Sequence, residues 1–353
     1  LRHGRQTFRA EEVNDQFRID SQKLSFHPHR VAQWLDGKDD WEKAKKIYPL
    51  YVEVSPMGAC NHRCTFCAVD YLGYKTVQLD VGVITSRLAE MAILGVKSVM
   101  FAGEGEPLLH KGINAITQRA IESGLDVSFT TNGVLLDILS LSKVSWIKVS
   151  INAGTRETYA KVHRTKEKDW DRVWENIRAA VKRKGNCTIG VQMVCLPENA
   201  GEEKALQDLC ADAGVDYCVL KPYSQHKSSI TRQYEGYKPI NLVGGKNVVV
   251  REEAIKTEAH SYDKCSATPF FWAYIQANGD VYSCSAYLLD DRFNLGSINT
   301  SSFRDIWEGD RRKNNFQLVR ESLDIHECRV NCRMDKANRF LDGFKSQAHM
   351  NFI

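Results

Sequence analysis

Three cysteines stand close together in segment 60–67, which reads CNHRCTFC and places Cys60, Cys64 and Cys67 in a C-x3-C-x2-C spacing. Thiolates at such a spacing can converge on one iron–sulfur cluster. A cubane cluster has about four irons, so three protein ligands leave one iron open to a small molecule. Zinc is the alternative metal, but structural zinc sites normally take about four protein ligands. The spacing therefore predicts an iron–sulfur cluster with one accessible iron.

A second group of cysteines lies near the end of the chain. Cys265, Cys284, Cys328 and Cys332 are separated by 18, 43 and 3 intervening residues. The segment Ala277-Asn278-Gly279 predicts a hairpin, since Asn-Gly is a strong turn signal, and this hairpin would bring Cys265 and Cys284 together. Four thiolates can hold either a zinc ion or an iron–sulfur cluster, and the spacing alone leaves both metals open.

Composition indicates an ordinary globular protein. Hydrophobic residues make up 43% and charged residues 26% of 353 positions, enough for one large domain and a smaller one. The net charge of +4 gives no electrostatic case for nucleic acid. No apolar run approaches the roughly 20 residues of a membrane span, and no signal-peptide pattern opens the chain. We therefore expect a cytoplasmic location, in which 11 cysteines favour metal ligation over disulfides.

Short apolar strands and amphipathic helices alternate from Tyr51 onward. The predicted strands are Tyr51–Ser55, Ser98–Phe101, Val127–Thr130, Trp146–Ile151, Thr188–Cys195 and Tyr217–Leu220. The predicted helices between them include Val83–Leu94, Asn114–Glu122, Trp170–Lys184 and Glu202–Ala213. Repeated βα units indicate a parallel sheet with right-handed crossovers.

Six such units are too few to close a barrel of about eight strands. We therefore predict an α/β fold, an open partial (βα)6 barrel with parallel strands, followed by a small C-terminal α+β domain. The expected divisions are a helical lead-in over 1–48, the barrel over 49–223, a linker or cover over 224–262 and an auxiliary-cluster domain over 263–353. The first cysteine group follows the first strand at its carboxyl end, where chemistry collects in such folds.

The cysteine segment, with Phe66 before its last cysteine, resembles the signature of the radical S-adenosylmethionine (radical SAM) family. The resemblance extends over residues 51–223. After the second predicted strand, segment 103–107 reads GEGEP and resembles the Gly-Gly-Glu-Pro element of the family. Glu104 stands where the family has its first glycine, so this sequence departs from the pattern at that position.

The resemblance implies a set of SAM contacts: Phe66, Gly105, Glu106, Asn132, Ser150, Asn152 and Arg164. In the family, backbone groups of the glycine element bind the SAM amino group. Arg164 fits the arginine that pairs with the SAM carboxylate, a role suited to a bidentate guanidinium. Ser150 and Asn152 fit polar contacts to the ribose and the carboxylate, and an ordinary turn or helix cap is the alternative for both.

The cofactors implied by the resemblance are SAM and a 4Fe-4S cluster held by Cys60, Cys64 and Cys67. Reductive cleavage of SAM would give methionine and a 5′-deoxyadenosyl radical that takes a hydrogen atom from substrate. A flavodoxin- or ferredoxin-type protein would supply the electron. Neither nucleic acid nor a membrane is expected as a partner.

The segment from Cys265 to Trp307 resembles the C-terminal extension of radical SAM enzymes called SPASM, or its shorter "twitch" form. The resemblance implies a second, auxiliary 4Fe-4S cluster ligated by Cys265, Cys284, Cys328 and Cys332. Full ligation leaves no iron open for substrate and favours electron transfer or structural support.

The expected function is therefore that of a radical SAM enzyme, of oxidoreductase or epimerase type, acting on a small polar metabolite. A sugar, a cyclitol or a nucleotide-linked sugar is expected, because a twitch-sized extension resembles that of aminocyclitol dehydrogenases. In dehydrogenation, Lys221 or Tyr223 could help to remove a proton, or could only bind substrate hydroxyls or phosphate. In epimerisation, Cys195 could return a hydrogen atom. We favour dehydrogenation.

Two other functions are compatible with parts of the sequence. A peptide- or protein-modifying enzyme is one, although such relatives usually carry more cluster cysteines and a separate recognition domain. A non-catalytic electron-transfer protein is the other, but it would carry the SAM-contacting residues only by accident. Cys187, Cys210 and Cys218 are expected to be buried as small hydrophobic side chains.

The two cysteine groups predict about eight irons per chain after anaerobic reconstitution, at about four irons for each cubane site. Replacing Cys60, Cys64 and Cys67 together by alanine should leave about half of this iron and abolish SAM cleavage. Metal analysis by mass spectrometry tests both numbers. Full iron content in the triple variant would refute the first site, and one zinc with about four irons would identify zinc at the second.

Overall fold

The computed structural model describes residues 17, 21–141, 143–239, 242, 244, 247–251, 260, 262–328, 332–345 and 349. Parts of the expected lead-in (1–16 and 18–20) and of the expected linker (252–259) lie outside these residues.

One sheet runs through the described chain. Its strands β1 to β10 are, in chain order, Tyr51–Val54, Ser98–Phe101, Asp126–Thr131, Trp146–Ser150, Thr188–Cys195, Tyr217–Pro222, Val248–Val250, Trp272–Ile275, Asp280–Tyr282 and Asn294–Ser297. Strands β1 to β7 lie side by side and parallel, and β8 lies parallel to the other edge of β1. Strands β9 and β10 continue the sheet in antiparallel pairing. The strand order is open, as expected for a partial barrel.

Helices cover one face of the parallel strands and surround the C-terminal hairpin. Helices α1 to α11 are Pro28–Gly37, Trp41–Ala44, Val81–Ile93, Ile113–Glu122, Arg156–His163, Glu167–Arg183, Glu203–Ala213, Thr268–Phe271, Phe303–Glu308, Asp310–Glu321 and Asp335–Asp342. Among the described residues, no helix is both long and apolar enough to cross a membrane.

The predicted α/β architecture is confirmed, with one additional strand. The six predicted barrel strands are present and parallel, and the predicted hairpin is formed by β8 and β9. Strand β7 was not predicted, because its three valines were assigned to the linker over 224–262. The parallel sheet therefore extends one strand beyond β6. The hairpin is also not separate from the barrel, since β8 pairs with β1.

Local sequence signals explain where the helices begin and end. The Asp80 carboxylate accepts a hydrogen bond from the Val83 N–H at 2.9 Å and caps α3. Gly95 follows α3 with a φ of 95°, a left-handed conformation that glycine adopts without steric cost. Thr155 caps α5 by accepting from the Thr158 N–H at 3.3 Å.

Side chains alternate across the parallel strands, which divides the sheet into two environments. Outward-facing residues such as Phe101, Phe129 and Val149 are fully buried in one core with the helices. The opposite face carries polar side chains, including Ser128 and Gln192. The helix layer thus supplies the hydrophobic core, and the inner face of the barrel is left free for polar groups.

A buried arginine joins the lead-in helices to the C-terminal helices. Helices α1 and α2 pack with Phe270, Phe271 and Phe316 in a second core. Arg312, 1% exposed, donates hydrogen bonds to the backbone carbonyls of Trp307, Ala44 and Pro269 and lies over the Trp307 ring. The apolar side chains of the lead-in helices therefore pack on C-terminal helices. A separate contact ties the lead-in to the barrel, since the Arg30 guanidinium donates a hydrogen bond to the carbonyl of Gly95, next to α3.

Replacing Arg312 by methionine should lower the free energy of unfolding by about 3 kcal/mol, because hydrogen bonds from a charged donor to three buried carbonyls are lost. Arg311 is exposed on the same helix and provides the matched control. Arg311→Met should change the free energy by less than about 0.5 kcal/mol. Urea denaturation followed by circular dichroism measures both values, and equal effects would contradict the structural role of Arg312.

Candidate active site

A cavity of about 340 Å³ lies at the carboxyl ends of the parallel strands. The cysteine segment after β1 forms one side, and the loop after β2 and the end of β3 continue it. The inner faces of β4, β5 and β6 and residue Arg251 after β7 complete the wall. All of these segments meet there because parallel strands end at the same edge of a sheet.

Most of the predicted site residues are brought together in this cavity. Its lining includes Cys60, Cys64, Phe66, Cys67, Gly105, Glu106, Asn132, Ser150, Lys221 and Tyr223. Asn152, Arg164 and Cys195 are not part of the lining.

The residues of the first cysteine group are half-buried, and their thiols influence one another's charge. Burial raises the pKa of Cys60 to about 12, and the neighbouring Cys67 contributes to the same shift. Burial also raises the pKa of Cys64, with smaller contributions from Cys67 and Cys60. Three soft sulfur donors that influence one another fit the donor set of an iron–sulfur cluster. Ligation would require these thiols to lose their protons.

Gly105 brings the loop after β2 into contact with the cysteine segment. A Cβ atom at this position would lie 2.1 Å from the carbonyl oxygen of Ala59, so no side chain fits there. The next residue, Glu106, donates its backbone N–H to the same carbonyl at 2.9 Å. The glycine is therefore needed for the close approach of two backbones at the edge of the cavity.

The Glu106 carboxylate ties together neighbouring parts of the wall. It accepts hydrogen bonds from the Thr131 hydroxyl at 2.6 Å, the Asn132 N–H at 2.8 Å and the Leu108 N–H at 3.0 Å. Burial raises its pKa, and the hydrogen bonds it accepts oppose this shift. Both carboxylate oxygens are engaged in these hydrogen bonds, so the role of Glu106 is to hold the loop after β2 and the end of β3 in place.

Asn132 continues this network to the cysteine segment. Its side-chain Nδ2 donates to Oδ1 of Asn61 at 2.7 Å, and its Oδ1 accepts from the Val134 N–H at 3.1 Å. A path of direct hydrogen bonds therefore connects Glu106 to the residue next to Cys60.

His163 is a site residue that the sequence interpretation missed. Its Nδ1 lies 3.2 Å from Sγ of Cys64, and its Nε2 lies 2.9 Å from the carbonyl oxygen of Ile151. Ligand atoms of His62, Cys64 and His163 all lie within 4.8 Å of one another. Burial lowers the pKa of His163 to about 3 and that of His62 to about 4, so both imidazoles are neutral at pH 7.

The cysteine segment is anchored to the end of α5, which explains the place of His163. Thr65 N–H donates to the carbonyl of Val162 at 2.8 Å, and Arg63 N–H donates to that of His163 at 3.1 Å. The sequence offered two signals for this arrangement: His62 lies inside the cysteine segment, and His163 lies at a helix end beside Arg164. Nothing in the sequence spacing joins residues that lie about a hundred positions apart.

The expected position of Arg164 in the site is corrected by the structure. Arg164 is exposed at the C-terminal end of α5, with φ 47° and ψ 54°, and does not line the cavity. This left-handed turn carries its side chain away from the cavity, whereas the preceding His163 points inward. Lys221 and Arg251 are cationic side chains that do line it.

Asn152 also lies behind the cavity wall. It is fully buried, its Oδ1 accepts from the Val194 N–H at 2.8 Å, and its carbonyl accepts from Asn199 Nδ2 at 2.8 Å. These contacts fix the turn after β4, which is the alternative that the sequence left open. Ser150, two residues earlier, reaches the cavity.

Cys195 faces the wrong side of its strand for chemistry in the cavity. Gln192 and Val194 of β5 line the cavity, so the alternation of side chains turns Cys195 toward the helix layer. It is 1% exposed, and burial raises its pKa to about 12. The Cys195 thiol, expected to be a candidate hydrogen donor, therefore lies in the core and not in the cavity lining. Cys187, Cys210 and Cys218 are buried as expected.

The second cysteine group is gathered beside the C-terminal hairpin. Burial raises the pKa of Cys284, with contributions from Cys332, Cys265 and Cys328, so the four thiols lie within reach of one another's charge. Asn338 Nδ2 donates to Sγ of Cys265 and the Met334 N–H donates to Sγ of Cys332, both at 3.4 Å.

Four neighbouring thiols that accept hydrogen bonds from N–H groups fit a four-thiolate metal site, because such hydrogen bonds stabilise the metal-bound sulfur atoms.

One segment, 224–239, contacts both cysteine groups. Near the first group, Asp70 accepts hydrogen bonds from the N–H groups of Ile230 and Thr231 at 2.9 Å. Near the second, Lys227 Nζ lies 3.6 Å from the centre of the Tyr287 ring, and the Tyr287 hydroxyl lies 3.4 Å from Sγ of Cys328. This part of the expected linker therefore packs against residues that neighbour each cysteine group.

Two protein families match the chain. Residues 54–209 match the radical SAM superfamily, and residues 265–333 match an iron–sulfur cluster-binding domain called SPASM. The two matches contain the first and the second cysteine group, respectively.

Curated relatives of the chain are named as cyclases. The chain is 31% identical over 202 residues to a GTP 3′,8-cyclase of Chlorobaculum tepidum, and the match covers 54% of this chain and 59% of the relative. It is 32% identical over 166 residues to a probable GTP 3′,8-cyclase of Metallosphaera sedula, covering 44% and 50%. The matches thus span 59% and 50% of the length of these two relatives.

Solved structures share the fold at low sequence identity. SuiB of Streptococcus suis bound to S-adenosylmethionine superposes with a TM-score of 0.61 at 17% identity, over 84% of this chain and 72% of that chain. The protein anSMEcpe with bound AdoMet gives a TM-score of 0.55 at 14% identity, over 82% and 89%.

Replacing Glu106 by alanine should raise the dissociation constant for SAM about tenfold, because loss of one buried hydrogen-bond acceptor costs about 1–3 kcal/mol. Arg164→Ala should leave it within about twofold, since surface substitutions rarely exceed 0.5 kcal/mol. Equilibrium dialysis of anaerobically reconstituted protein measures both constants. Glu122→Ala, an exposed helix position, is the control. A large effect of Arg164→Ala alone would overturn this placement.

Proposed function

Because the chain belongs to the radical SAM superfamily and carries a SPASM domain, we propose that it uses S-adenosylmethionine to abstract hydrogen from a small polar substrate in the barrel cavity. This proposal is supported by the observation that one cavity is lined both by Cys60, Cys64 and Cys67 and by the polar inner face of the strands. A cofactor at the thiols and a substrate against the strands would therefore share one enclosed space.

Cys60, Cys64 and Cys67 would hold a 4Fe-4S cluster, which would supply the electron for reductive cleavage of SAM and so for hydrogen abstraction from the substrate. The chain itself supplies the positions. Glu106 and Asn132 hold the wall against the cysteine segment. Phe66 packs edge-on against His163 with ring centres 5.5 Å apart, which supports the segment from within. Ser150 offers a hydroxyl to the cavity.

A nucleotide-linked sugar or a related small metabolite is the substrate class that we propose. Gln192, Tyr223 and Ser224 place an amide and two hydroxyls on the wall, groups that hydrogen-bond sugar hydroxyls and bases. The relatives named GTP 3′,8-cyclase act, by their name, on a nucleotide. The likeness to SuiB and anSMEcpe is too distant in sequence to favour a peptide substrate.

Dehydrogenation remains the reaction that we propose, and its support comes from the position of two groups. Cys195 points away from the cavity, so the thiol expected to serve epimerisation has no access to a substrate there. Lys221 and Tyr223 line the cavity and are placed to accept a proton or to bind substrate oxygens. A fully ligated cluster at the second cysteine group would supply an electron acceptor. A cluster at the first cysteine group would need a flavodoxin- or ferredoxin-type protein as its electron donor.

Anaerobically reconstituted protein with SAM and dithionite should form 5′-deoxyadenosine, measured by liquid chromatography. Cys64→Ala should reduce this product to background, because a cluster ligand is lost. Cys187→Ala removes a buried thiol outside the cavity and should retain the product. Product formation in Cys64→Ala, or equal loss in both variants, would refute the proposed function.

A further inference from the structure

Cationic side chains collect on the inner face of the barrel. Ile147 and Val149 of β4 belong to the outer core, so Lys148 faces inward together with Ser150. Ser150 lines the cavity, and Lys148 lies about 6.6 Å deeper at about 3.3 Å per strand residue. Lys148 also pairs in register with Thr130, another cavity residue.

Two further cations approach from the other end of the parallel sheet. Lys221 of β6 and Arg251 after β7 both line the cavity. The Arg251 N–H donates to the carbonyl of Leu220 at 3.0 Å, which fixes Arg251 beside Lys221. Tyr223 and Ser224 line the same wall, and the Tyr223 hydroxyl donates to Oε1 of Gln225 at 2.9 Å.

The carboxylates around this wall are already engaged. Glu53 forms an ion pair with Arg333, which also donates to the Tyr51 hydroxyl at 2.9 Å. Glu104 accepts from the Ala277 N–H at 2.9 Å, and Glu106 is held by Thr131 and Asn132. Within the part of the chain that the structure describes, no carboxylate forms an ion pair with Lys148.

The surroundings of Lys148 disfavour its charged form. Burial is the main cause that lowers the pKa of Lys148 to about 8; the charges of Arg251 and Arg333 contribute to this shift, and the charge of Glu53 opposes it. Like charges enclosed together are unfavourable unless an anion compensates them. An anion bound beside Lys148 would therefore stabilise its charged form.

We propose that Lys148, Lys221 and Arg251 form a subsite for a phosphate or diphosphate group of the substrate, an assignment that rests on the function proposed above. Arginine and lysine are the side chains that bind phosphate oxygens best, the first as a fork and the second as a point charge.

The same cations could in principle bind the methionyl carboxylate of SAM, but their location favours the substrate. The thiols, Gly105, Glu106 and Asn132 lie in the segments after β1, β2 and β3. Lys148, Lys221 and Arg251 belong to β4, β6 and the end of β7, with Lys148 set deeper than the rim. Ser150, an expected SAM contact, shares β4 with Lys148, so β4 borders both parts of the cavity. Lys221 and Arg251, at the far end of the strand order from β1 to β3, place the substrate anion away from the cofactor.

The test is calorimetric titration of the reconstituted protein with inorganic pyrophosphate, with SAM present. Lys148→Met and Arg251→Gln should each weaken pyrophosphate binding by at least about 30-fold, the usual effect of removing one buried charge partner. Lys148→Arg keeps the charge and should restore most of the affinity. Lys182→Met, at an exposed position of α6, is the matched control and should bind as the unmodified protein does.

SAM affinity, measured in the same variants by dialysis, distinguishes the two anions. Unchanged SAM binding with lost pyrophosphate binding supports the subsite. Lost SAM binding with retained pyrophosphate binding would assign the cations to the SAM carboxylate and overturn the proposal, as would pyrophosphate binding equal in all variants. Formation of 5′-deoxyadenosine reports on the proposed function separately, because it requires the thiols and can persist when the subsite is lost.

Discussion

The buried carboxylate of Glu106 is the contact on which the geometry of the cavity depends. It accepts three hydrogen bonds from the loop after β2 and the end of β3, and Asn132 passes the connection on to Asn61. Without it, buried N–H groups would lose their acceptor, and the segment that carries Cys60 would lose a support. The Glu106 side chain therefore fixes the positions of the loops that meet at the carboxyl edge of the parallel strands.

The alternation of side chains along the strands decides which groups can act in that space. On β4 and β5, apolar residues pack under the helices, while Lys148, Ser150 and Gln192 face inward. A single step in register would exchange the two sets. The polar interior and the hydrophobic core are thus two consequences of the same strands, and the burial of the core fixes the chemistry of the cavity.

Local patterns were sufficient to predict much of this arrangement. The barrel strands, the hairpin at Gly279 and the first cysteine group follow from short-range patterns. Gly105 was identified from the family resemblance, and the structure supplies the reason for it, a backbone contact that excludes a side chain. What failed depended on longer-range geometry. The face on which Cys195 lies follows from the register of β5, and the left-handed end of α5 turns Arg164 outward while His163 enters the site. Strand β7, with three residues, is stabilised by its pairing with β6, which no local signal contains.

The pairing of β8 with β1 gives the C-terminal part a second role besides cysteine ligation. Strand β1 begins the barrel, and its outer edge would expose unpaired N–H and C=O groups if β8 were missing. Such edges recruit other chains and promote aggregation. A chain shortened before Trp272 would thus be liable to self-association through β1, whatever happens to its metal sites. During synthesis, β1 is made more than two hundred residues before the strand that covers it, so the newly made barrel must remain with an open edge until its last part emerges.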